Sequence, residues 1–190
     1  MKRLTEKTFF YYLKCPNWVR RDVVHGKNLD KLEARLIDDG LLPEVMKKLL
    51  LVRGEYVTVE DEDVDDAFRR TLDFMRQGAR TIYGGVLVDG HWVGRPDVLE
   101  RVEGKSDLGG YYYVAVDIKR VSDPRGISDG HRMQGAFYAD LLLRMQGVKP
   151  TSGYVMTPNG VVMRYDLETF EVDYRLTLKR IEAILGGEEV

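Results

Sequence analysis

The segment Tyr111–Lys119 constrains the fold most, because it is strongly strand-like and ends in two charged residues. Tyr, Val and Ile favour the pleated, half-buried surface of a strand, and they occur at both odd and even positions, so both faces are expected to be covered. Asp117 and Lys119 are two positions apart and project from the same face. A charge at the end of a buried strand is costly unless it has a partner or a metal. The segment therefore indicates either a solvated ion pair on an edge strand or a site that uses a metal and a lysine.

The same spacing of an acid and a lysine occurs at Glu103-Gly-Lys105. There it falls in Glu103–Gly110, a turn-rich stretch that predicts a loop without structure to hold a side chain. Context therefore separates the two occurrences, and only Asp117 and Lys119 are expected to have a fixed backbone.

The first 80 residues have helical periodicity and the next 40 have a period of two. Pro, Gly and capping residues divide the first part into four predicted helices. They are Thr8–Cys15 ended by Pro16, a helix capped by Asn28 or Asp30 and running through Ile37, Glu44–Val52 after Pro43, and Asp61–Gln77. The next part predicts an antiparallel meander of three strands with a hairpin turn at Asp89-Gly90. Its strands are Thr81–Val88 (one strand or two short ones), His91–Val102 and Tyr111–Lys119.

A helix, two short strands and a final helix are predicted after the loop Asp123–Gly130. They are His131–Met145, Gly153–Met156, Val161–Tyr165 and Glu168–Leu185. The pattern as a whole favours one mixed α/β domain, in which residues 1–80 form an N-terminal helical part and residues 81–190 form the core.

Composition restricts the function without identifying it. The chain has 190 residues, 44% hydrophobic and 32% charged, with a formal net charge of −2, so a nucleic-acid-binding protein of this composition needs a local basic groove. The single cysteine, Cys15, excludes a disulfide framework and a self-contained cysteine metal cluster, and is expected in the core. Neither a signal peptide nor a long apolar run is present, which predicts a soluble cytoplasmic protein without a membrane partner.

A second acid is expected beside Asp117. Asp97, in Gly94-Arg-Pro-Asp97, lies on the strand predicted to pair with Tyr111–Lys119, and a hairpin between the two strands would bring the carboxylates side by side. Two facing carboxylates repel each other but are tolerated when a divalent cation lies between them. The alternative is that one acid pairs with Arg95 or Lys119. Pro96 indicates an edge or a bulge at this point.

The next helix presents Gln134 and Tyr138, four residues apart and therefore on one face. Such a pair is also common as an ordinary feature of an amphipathic helix.

Together, Gly-Arg-Pro-Asp97, Asp117-Ile-Lys119 and Gln134-x-x-x-Tyr138 resemble the PD-(D/E)XK nuclease superfamily and, within it, the RecB-like nucleases. The order and spacing of the motifs carry this resemblance. Cys15-Pro16 after an aromatic helix and the stretch from Thr71 to Leu87 extend it over about Leu4 to Tyr165. It implies a restriction-endonuclease-like core, with a central mixed sheet flanked by helices behind an N-terminal helical region.

The resemblance also implies a role for each matched residue. Asp97, Asp117 and the backbone carbonyl of Ile118 would hold Mg²⁺ or Mn²⁺, with Glu44 on an early helix as a further ligand. Lys119 would position or deprotonate the attacking water and stabilise charge on the phosphate. Gln134 and Tyr138 would contact the DNA backbone or steady the site. Other expected phosphate contacts come from arginines, namely Arg20, Arg21, Arg95, Arg120, Arg125 and Arg132, and Tyr11 or Tyr12 either stacks on a base or packs in the core.

Two departures from the family pattern are visible. Many relatives have a histidine at or before the early ligand, where Pro43 precedes Glu44 here, and His25 is the alternative. Some relatives also carry four cysteines for an iron–sulfur cluster, and only Cys15 matches, so no such cluster is expected.

The leading hypothesis is a metal-dependent DNA nuclease, in particular an exonuclease of DNA repair. Its expected partners are DNA that is single-stranded or has free ends, and a helicase or another DNA-processing protein. The alternatives are a catalytically inactive module for DNA binding or assembly, and an enzyme for another anionic substrate.

Overall fold

The computed structural model describes residues 3–24, 48–52, 54–120 and 124–187. Its α-helices are α1 (Glu6–Lys14), α2 (Pro16–Val19), α3 (Val64–Arg76), α4 (Asp129–Gln146) and α5 (Glu171–Leu185). Its strands are β1 (Leu4–Thr5), β2 (Val57–Thr58), β3 (Thr81–Tyr83), β4 (Leu87–Asp89), β5 (Trp92–Gly94), β6 (Val98–Ser106), β7 (Gly109–Ile118), β8 (Ser152–Met156) and β9 (Val162–Asp166). A π-helical turn spans Arg20–Val24, short 3-10 turns span Pro124–Gly126 and Glu168–Phe170, and residues 48–52 are helical.

The main sheet has six strands in the order β2-β3-β6-β7-β8-β9. The neighbours β3, β6 and β7 are antiparallel, whereas β7 and β8 are parallel, with α4 in the connection between them. A parallel pair requires such a crossover, because the chain must return to the starting end of the sheet. The expectation of a mixed α/β fold with a mixed central sheet is confirmed at this level.

The predicted meander is interrupted by a hairpin that belongs to a second sheet. The turn at Asp89-Gly90 is present, with Asp89 paired to Trp92 and Gly90 at a φ of +58°. The hairpin β4–β5 joins β1 in a three-stranded sheet, so the predicted strand His91–Val102 is wrong as one element. It divides into β5 and β6 around Pro96, which has no N–H to continue a ladder.

The predicted loop Glu103–Gly110 is also wrong. Strand β6 continues to Ser106 and β7 begins at Gly109, which leaves only Asp107 and Leu108 as the turn. The Ser106 hydroxyl stabilises this turn by donating to the carbonyl of Tyr111 and accepting from the N–H of Leu108 at 2.9 Å. Lys105 therefore lies on an exposed strand position and not in a loop.

Helix boundaries follow local chemistry. Helix α1 ends before Pro16 as predicted, and Pro16 then occupies the first turn of α2. Asp63 caps α3 by accepting from the N–H groups of Asp65 and Asp66. Ser128 caps α4 in a reciprocal arrangement with His131, so α4 begins two residues before the predicted His131. The predicted helix through Ile37 and the beginning of the helix from Glu44 lie outside the described residues.

The two faces of β7 have different coverings. The face that carries Tyr113 and Ala115 packs in the main core with α4, whereas Val116 and Ile118 on the opposite face pack in a smaller cluster with Leu50. Phe9 and Met75 from the N-terminal part lie in the same main core as α4. Both faces of β7 are thus covered, as the sequence predicts.

The side chain of Gln146 completes the edge of β7 beyond its short pairing with β8. Its Oε1 accepts from the N–H of Tyr113 at 2.8 Å, and its Nε2 donates to the carbonyls of Tyr113 at 3.0 Å and Val148 at 3.2 Å. Gln146 is fully buried, so the amide replaces the hydrogen bonds that a neighbouring strand would make.

An ion-pair network joins α4 and α5. Lys149 and Arg175 each contact both Asp140 and Glu171, at 2.7 to 2.9 Å, and the Tyr174 hydroxyl donates to Asp140 at 3.0 Å. Burial alone would raise the pKa of Glu171, but hydrogen bonds from Lys149 and Arg175 and their charges outweigh it, so the pKa is lowered.

Within the described ranges, no helix is long and apolar enough to cross a membrane.

Candidate functional site

Asp97 and Asp117 lie across from each other at the end of the antiparallel pair β6–β7. Val98 is the register partner of Val116, so one further step along the ladder brings Asp97 opposite Asp117. Directly opposed residues share one face of a sheet. Asp117 is 5% exposed and Asp97 is half-buried. The register is therefore compatible with the predicted side-by-side arrangement of the two residues.

The backbone holds Asp97 from two sides. Its carbonyl accepts from the N–H of Gly84 at 3.0 Å, and its Oδ2 accepts from the N–H of Ile118 at 2.6 Å. Gly84 has a φ of +70°, a conformation that side-chain-bearing residues rarely adopt. A glycine here lets the connection between β3 and β4 turn back onto Asp97.

Gly94, the first residue of the motif Gly-Arg-Pro-Asp97, lies close against α4. A Cβ atom at Gly94 would lie 2.7 Å from Leu141 Cδ1 and 2.9 Å from Tyr138 Cδ1, which is closer than packed carbon atoms tolerate. The motif Gly-Arg-Pro-Asp97 thus combines a close approach to α4, a break in the strand at Pro96 and a fixed carboxylate.

Ile118 and Lys119 point to different neighbours of β7. The N–H of Lys119 donates to the carbonyl of Met156 on β8 at 2.9 Å, whereas the N–H of Ile118 donates to Asp97. The N–H and C=O of one strand residue point to the same neighbour, so the Ile118 carbonyl is directed toward Asp97 as well. By alternation, the half-buried side chain of Lys119 leaves β7 on the face of Asp117.

Gln134 and Tyr138 form a buried pair beneath the two aspartates. Tyr138 is 0% exposed and Gln134 is 5% exposed, and Gln134 Nε2 donates to the Tyr138 hydroxyl at 2.9 Å. This burial does not allow Tyr138 to contact the DNA backbone directly, so that expectation is corrected. The two residues occupy a position from which they can steady the site.

The electrostatics of Tyr138 show which charges surround the pair. Burial raises the pKa of its hydroxyl well above the ordinary value, and the charges of Glu6, Asp117 and Asp97 raise it further, against the hydrogen bond from Gln134. The phenol therefore remains protonated and neutral, so its oxygen accepts from Gln134 while its O–H remains a donor. Three carboxylates from separate elements act on this one hydroxyl.

Glu6 is a member of this site that the sequence did not reveal. It lies in the first turn of α1, directly after β1, which pairs in parallel with β5 so that Thr5 is opposite Val93. Burial raises the pKa of Glu6, against lowering contributions from its own N–H, from the charges of Lys7 and Lys119, and from the N–H of Arg95. A first-turn acid is common at helix N-termini, so no sequence signal distinguishes Glu6.

Three buried polar atoms around the site have no hydrogen-bond partner among the described residues. They are Glu6 Oε2, Gln134 Oε1 and Arg132 Nε. Such atoms are few in folded proteins and call for an explanation, since each lacks the bond that would offset its desolvation. Arg132 lies near Tyr165 and Asp117. Burial and the charge of Asp117 raise the pKa of the Tyr165 hydroxyl, whereas the charge of Arg132 lowers it. Unsatisfied acceptors and an unsatisfied donor thus occur near the aspartates.

The predicted phosphate-binding arginines lie on or near the surface. Arg95, Arg120, Arg21 and Arg125 are exposed, whereas Arg20 and Arg132 are half-buried. Arg95 and Arg120 directly adjoin site residues in the chain, next to Pro96-Asp97 and Lys119. Tyr11 and Tyr12 are half-buried and pack against the main core, as the second of their two expected roles requires.

Other predicted site residues fall elsewhere. Glu44 and His25 lie outside the described residues. Cys15 follows the last residue of α1 and is half-exposed, so its expected place in the core is wrong.

The residues fit a cation that needs few protein ligands. In the described part of the chain, no three His, Cys, Asp or Glu side chains lie close enough together to hold a metal ion. Mg²⁺ commonly binds through one or two carboxylates and keeps several waters. Two opposed aspartates and the Ile118 carbonyl are compatible with that coordination.

No protein-family model and no curated protein matches this chain.

Proposed function

We propose that this protein is a divalent-metal-dependent deoxyribonuclease with a restriction-endonuclease-like core. The observation that carries the proposal is the opposition of Asp97 and Asp117 at the end of β6 and β7, with Lys119 leaving the same face. Maintaining adjacent carboxylates in a largely buried position costs free energy, and a purely structural module gains nothing from it. The order of β3, β6 and β7, followed by the α4 crossover to parallel β8, supports the proposed core.

Asp97, Asp117 and the Ile118 carbonyl would hold Mg²⁺ or Mn²⁺. When bound, such a cation supplies a hydroxide-like nucleophile near neutral pH and neutralises charge on a phosphate oxygen. The backbone N–H groups of Gly84 and Ile118 fix Asp97, so this acid needs little reorganisation when substrate binds.

Lys119 would orient the attacking water and stabilise the negative charge that develops on the phosphate. The protonated Tyr138 and its partner Gln134 hold the region under the carboxylates rigid and exclude water from it. Arg132, with its unsatisfied Nε, and the exposed Arg95 and Arg120 would bind the phosphates of the substrate.

Cleavage of end-labelled single- and double-stranded DNA with Mg²⁺, with Mn²⁺ and with chelator tests the proposal. Lys119→Ala is expected to abolish cleavage while the protein stays folded and its DNA binding stays largely intact. Lys105→Ala is the matched control, since Lys105 is an exposed strand lysine in the same relation to an acid, and it is expected to cleave normally. A Lys119→Ala protein that cleaves at the original rate would refute the assignment.

The alternatives give different results in the same assay. A catalytically inactive module binds DNA without metal-dependent cleavage. An enzyme for another anionic substrate neither binds nor cleaves DNA. The burial of Asp117 beside Asp97 favours the nuclease, because a bound cation would offset the repulsion between the two carboxylates.

Several finer features belong to the same proposal. We propose exonuclease action in DNA repair on DNA that is single-stranded or has free ends, in the cytoplasm and alongside a helicase or another DNA-processing protein. Glu44 remains the proposed additional ligand from the early helix, with His25 as the alternative. No iron–sulfur cluster is proposed, because the sequence contains one cysteine.

A further inference from the structure

We propose that Phe10 stacks on a base of single-stranded DNA, and that the exposed face of α1 around it holds the strand beside the candidate site. This face consists of Lys7, Phe10, Leu13 and Lys14, and we call it the α1 surface. The inference deepens the proposed function and rests on it for the identity of the ligand as DNA.

Phe10 is an aromatic residue that core packing does not account for. Its neighbour Phe9 is 1% exposed, and the ring of Phe9 lies 5.2 Å from that of Phe137 in the main core. Phe10 is half-buried and belongs to none of the apolar clusters that the described residues form, although Tyr11 and Tyr12 pack against the main core. The ring of Phe10 therefore keeps an accessible part that a ligand can cover.

A glycine fixes the position of this ring. A Cβ atom at Gly130 would lie 2.6 Å from Phe10 Cε1 and 3.0 Å from Phe10 Cδ1, which is closer than packed carbon atoms tolerate. The missing side chain at Gly130 thus lets the ring pack directly against the first turn of α4. A ring held in this way loses little conformational entropy when a base stacks on it.

Helix α1 runs along the part of α4 that belongs to the site. It begins after Thr5, which lies beside β5, and Gly94 at the end of β5 packs against Tyr138 of α4. One turn later, Phe10 lies on Gly130 near the start of α4. The helix therefore passes from the level of Tyr138 to the level of Gly130, along the turns whose buried pair lies beneath the two aspartates. This path places the α1 surface next to the candidate site.

The α1 surface lies in a basic segment of an acidic protein. Residues 7–21 contain four basic residues and no acid, whereas the whole chain has a formal net charge of −2. Lys7, Phe10 and Lys14 are three and seven residues apart, so they share one face of α1, and both lysines are exposed. The lysines lie about 10 Å apart along the helix axis, with Phe10 between them. This segment supplies the local positive charge that a nucleic-acid-binding protein of this composition needs.

An aromatic ring between two cations matches an unpaired strand better than a duplex. The bases of a single strand have accessible faces that stack on aromatic side chains, while its phosphates bind lysine and arginine. Within a duplex, each base is stacked between its neighbours and cannot reach a ring on a protein surface. The chemistry of the α1 surface therefore favours single-stranded DNA.

Equilibrium binding of a labelled thymidine oligonucleotide of about 12 nucleotides, measured by fluorescence anisotropy with chelator, tests Phe10 without any cleavage. Phe10→Leu is expected to raise Kd about fivefold or more, because stacking on the ring is lost, whereas Phe10→Trp should keep the original Kd. An abasic oligonucleotide of the same length keeps the phosphates but lacks the bases, so Phe10→Leu and the unsubstituted protein should bind it equally.

Tyr112→Leu is the matched control and should leave both Kd values unchanged. Tyr112 is also a half-buried aromatic residue packed on a glycine, Gly104, but it lies toward the turn of the β6–β7 hairpin. The proposal would be overturned if the protein did not bind the thymidine oligonucleotide, if Phe10→Leu bound it with the original Kd, or if the abasic strand showed the same loss.

A salt titration tests the phosphate contacts of the α1 surface. Lys14→Gln is expected to weaken binding of both oligonucleotides and to reduce the slope of log Kd against log salt concentration by about 0.7, since one phosphate contact is removed. Lys105→Gln is the control, because Lys105 is an exposed lysine outside this surface. An unchanged slope for Lys14→Gln would contradict the role of this surface in holding the strand.

Kinetics separate the inference from the proposed function. With Mg²⁺, Phe10→Leu is expected to lower kcat/KM for a single-stranded substrate by the same factor as it raises Kd, with little effect on a blunt duplex. An equal loss on both substrates would overturn the assignment to a single strand. Absence of metal-dependent cleavage by the unsubstituted protein would refute the nuclease activity, whereas the binding measurements would still decide whether Phe10 stacks on a base.

Discussion

Replacing Gln146 by methionine tests how the sheet that carries the site is completed. Gln146 is fully buried, and its amide makes two hydrogen bonds to the backbone of Tyr113, at 2.8 and 3.0 Å. Methionine has a similar shape but cannot make either bond. The substitution therefore leaves an N–H and a C=O of Tyr113 unsatisfied inside the protein, while the volume of the core stays nearly constant.

The expected loss follows from those two groups. Leaving one buried donor or acceptor without a partner costs about 1–3 kcal/mol, so two of them predict a loss of about 2–6 kcal/mol in the free energy of unfolding. For a chain of this size, that loss lowers the melting temperature by roughly 4–24 °C. Equilibrium unfolding in urea measures the free energy of unfolding directly. If this free energy depends on urea concentration with the same slope in the variant and in the unsubstituted protein, the two folded states are comparable.

Arg144→Met on the same helix is the control. Arg144 is exposed and its only described ion pair, with Asp89, is 3.5 Å long, so its replacement should change stability by less than about 0.5 kcal/mol. A Gln146→Met protein that loses less than about 1 kcal/mol would refute the view that the amide replaces a missing strand.

Three further predictions concern other parts of the molecule. Thr71→Val should cost about 1–3 kcal/mol in urea unfolding while Thr71→Ser costs less, because the buried Thr71 hydroxyl accepts from the N–H of Val86 at 2.9 Å. The pKa of Glu171 is lowered in the folded protein, so its stabilising effect is complete above the unfolded pKa and disappears as the pH falls from about 5 to 3; a Glu171→Gln protein whose stability falls as steeply over that range would contradict this. If Glu44 is a ligand, Glu44→Gln should raise the Mg²⁺ concentration needed for cleavage without lowering the melting temperature, and an unchanged requirement would exclude it.

Strands and turns could be predicted from the sequence where the local residue types alone determine the backbone geometry. Alternation and β-branched residues indicate β7, and Asp89-Gly90 indicates the hairpin, because both signals are local. The division of His91–Val102 could not be predicted in full. Pro96 indicates an interruption, but only the pairing of β5 with β1 shows that the two pieces belong to different sheets.

The site could be predicted to the extent that it depends on β6 and β7. The spacing of Asp97 and Asp117 is compatible with a hairpin, and that hairpin is present. The burial of Gln134 and Tyr138 could not be predicted, because a spacing of four shows that two residues share a helix face but not which face is covered. Glu6 was not predicted, because it reaches the site through a two-residue strand paired with residues almost 90 positions away.

That two-residue strand makes the beginning of the chain resemble a bound peptide. Leu4 and Thr5 extend the edge of β5 in the way that a peptide ligand augments an exposed sheet edge, and Phe9 of the following helix inserts a side chain that is 1% exposed. In this mode of peptide recognition, main-chain hydrogen bonds provide the affinity, and the inserted side chain fixes the register of the peptide on the strand. Docking of residues 4–9 is therefore an intramolecular binding event that delivers Glu6 to the carboxylates. Any partner or tag that competes for the β5 edge would displace Glu6 from the segment Gly94–Asp97, without touching Asp97, Asp117 or Lys119.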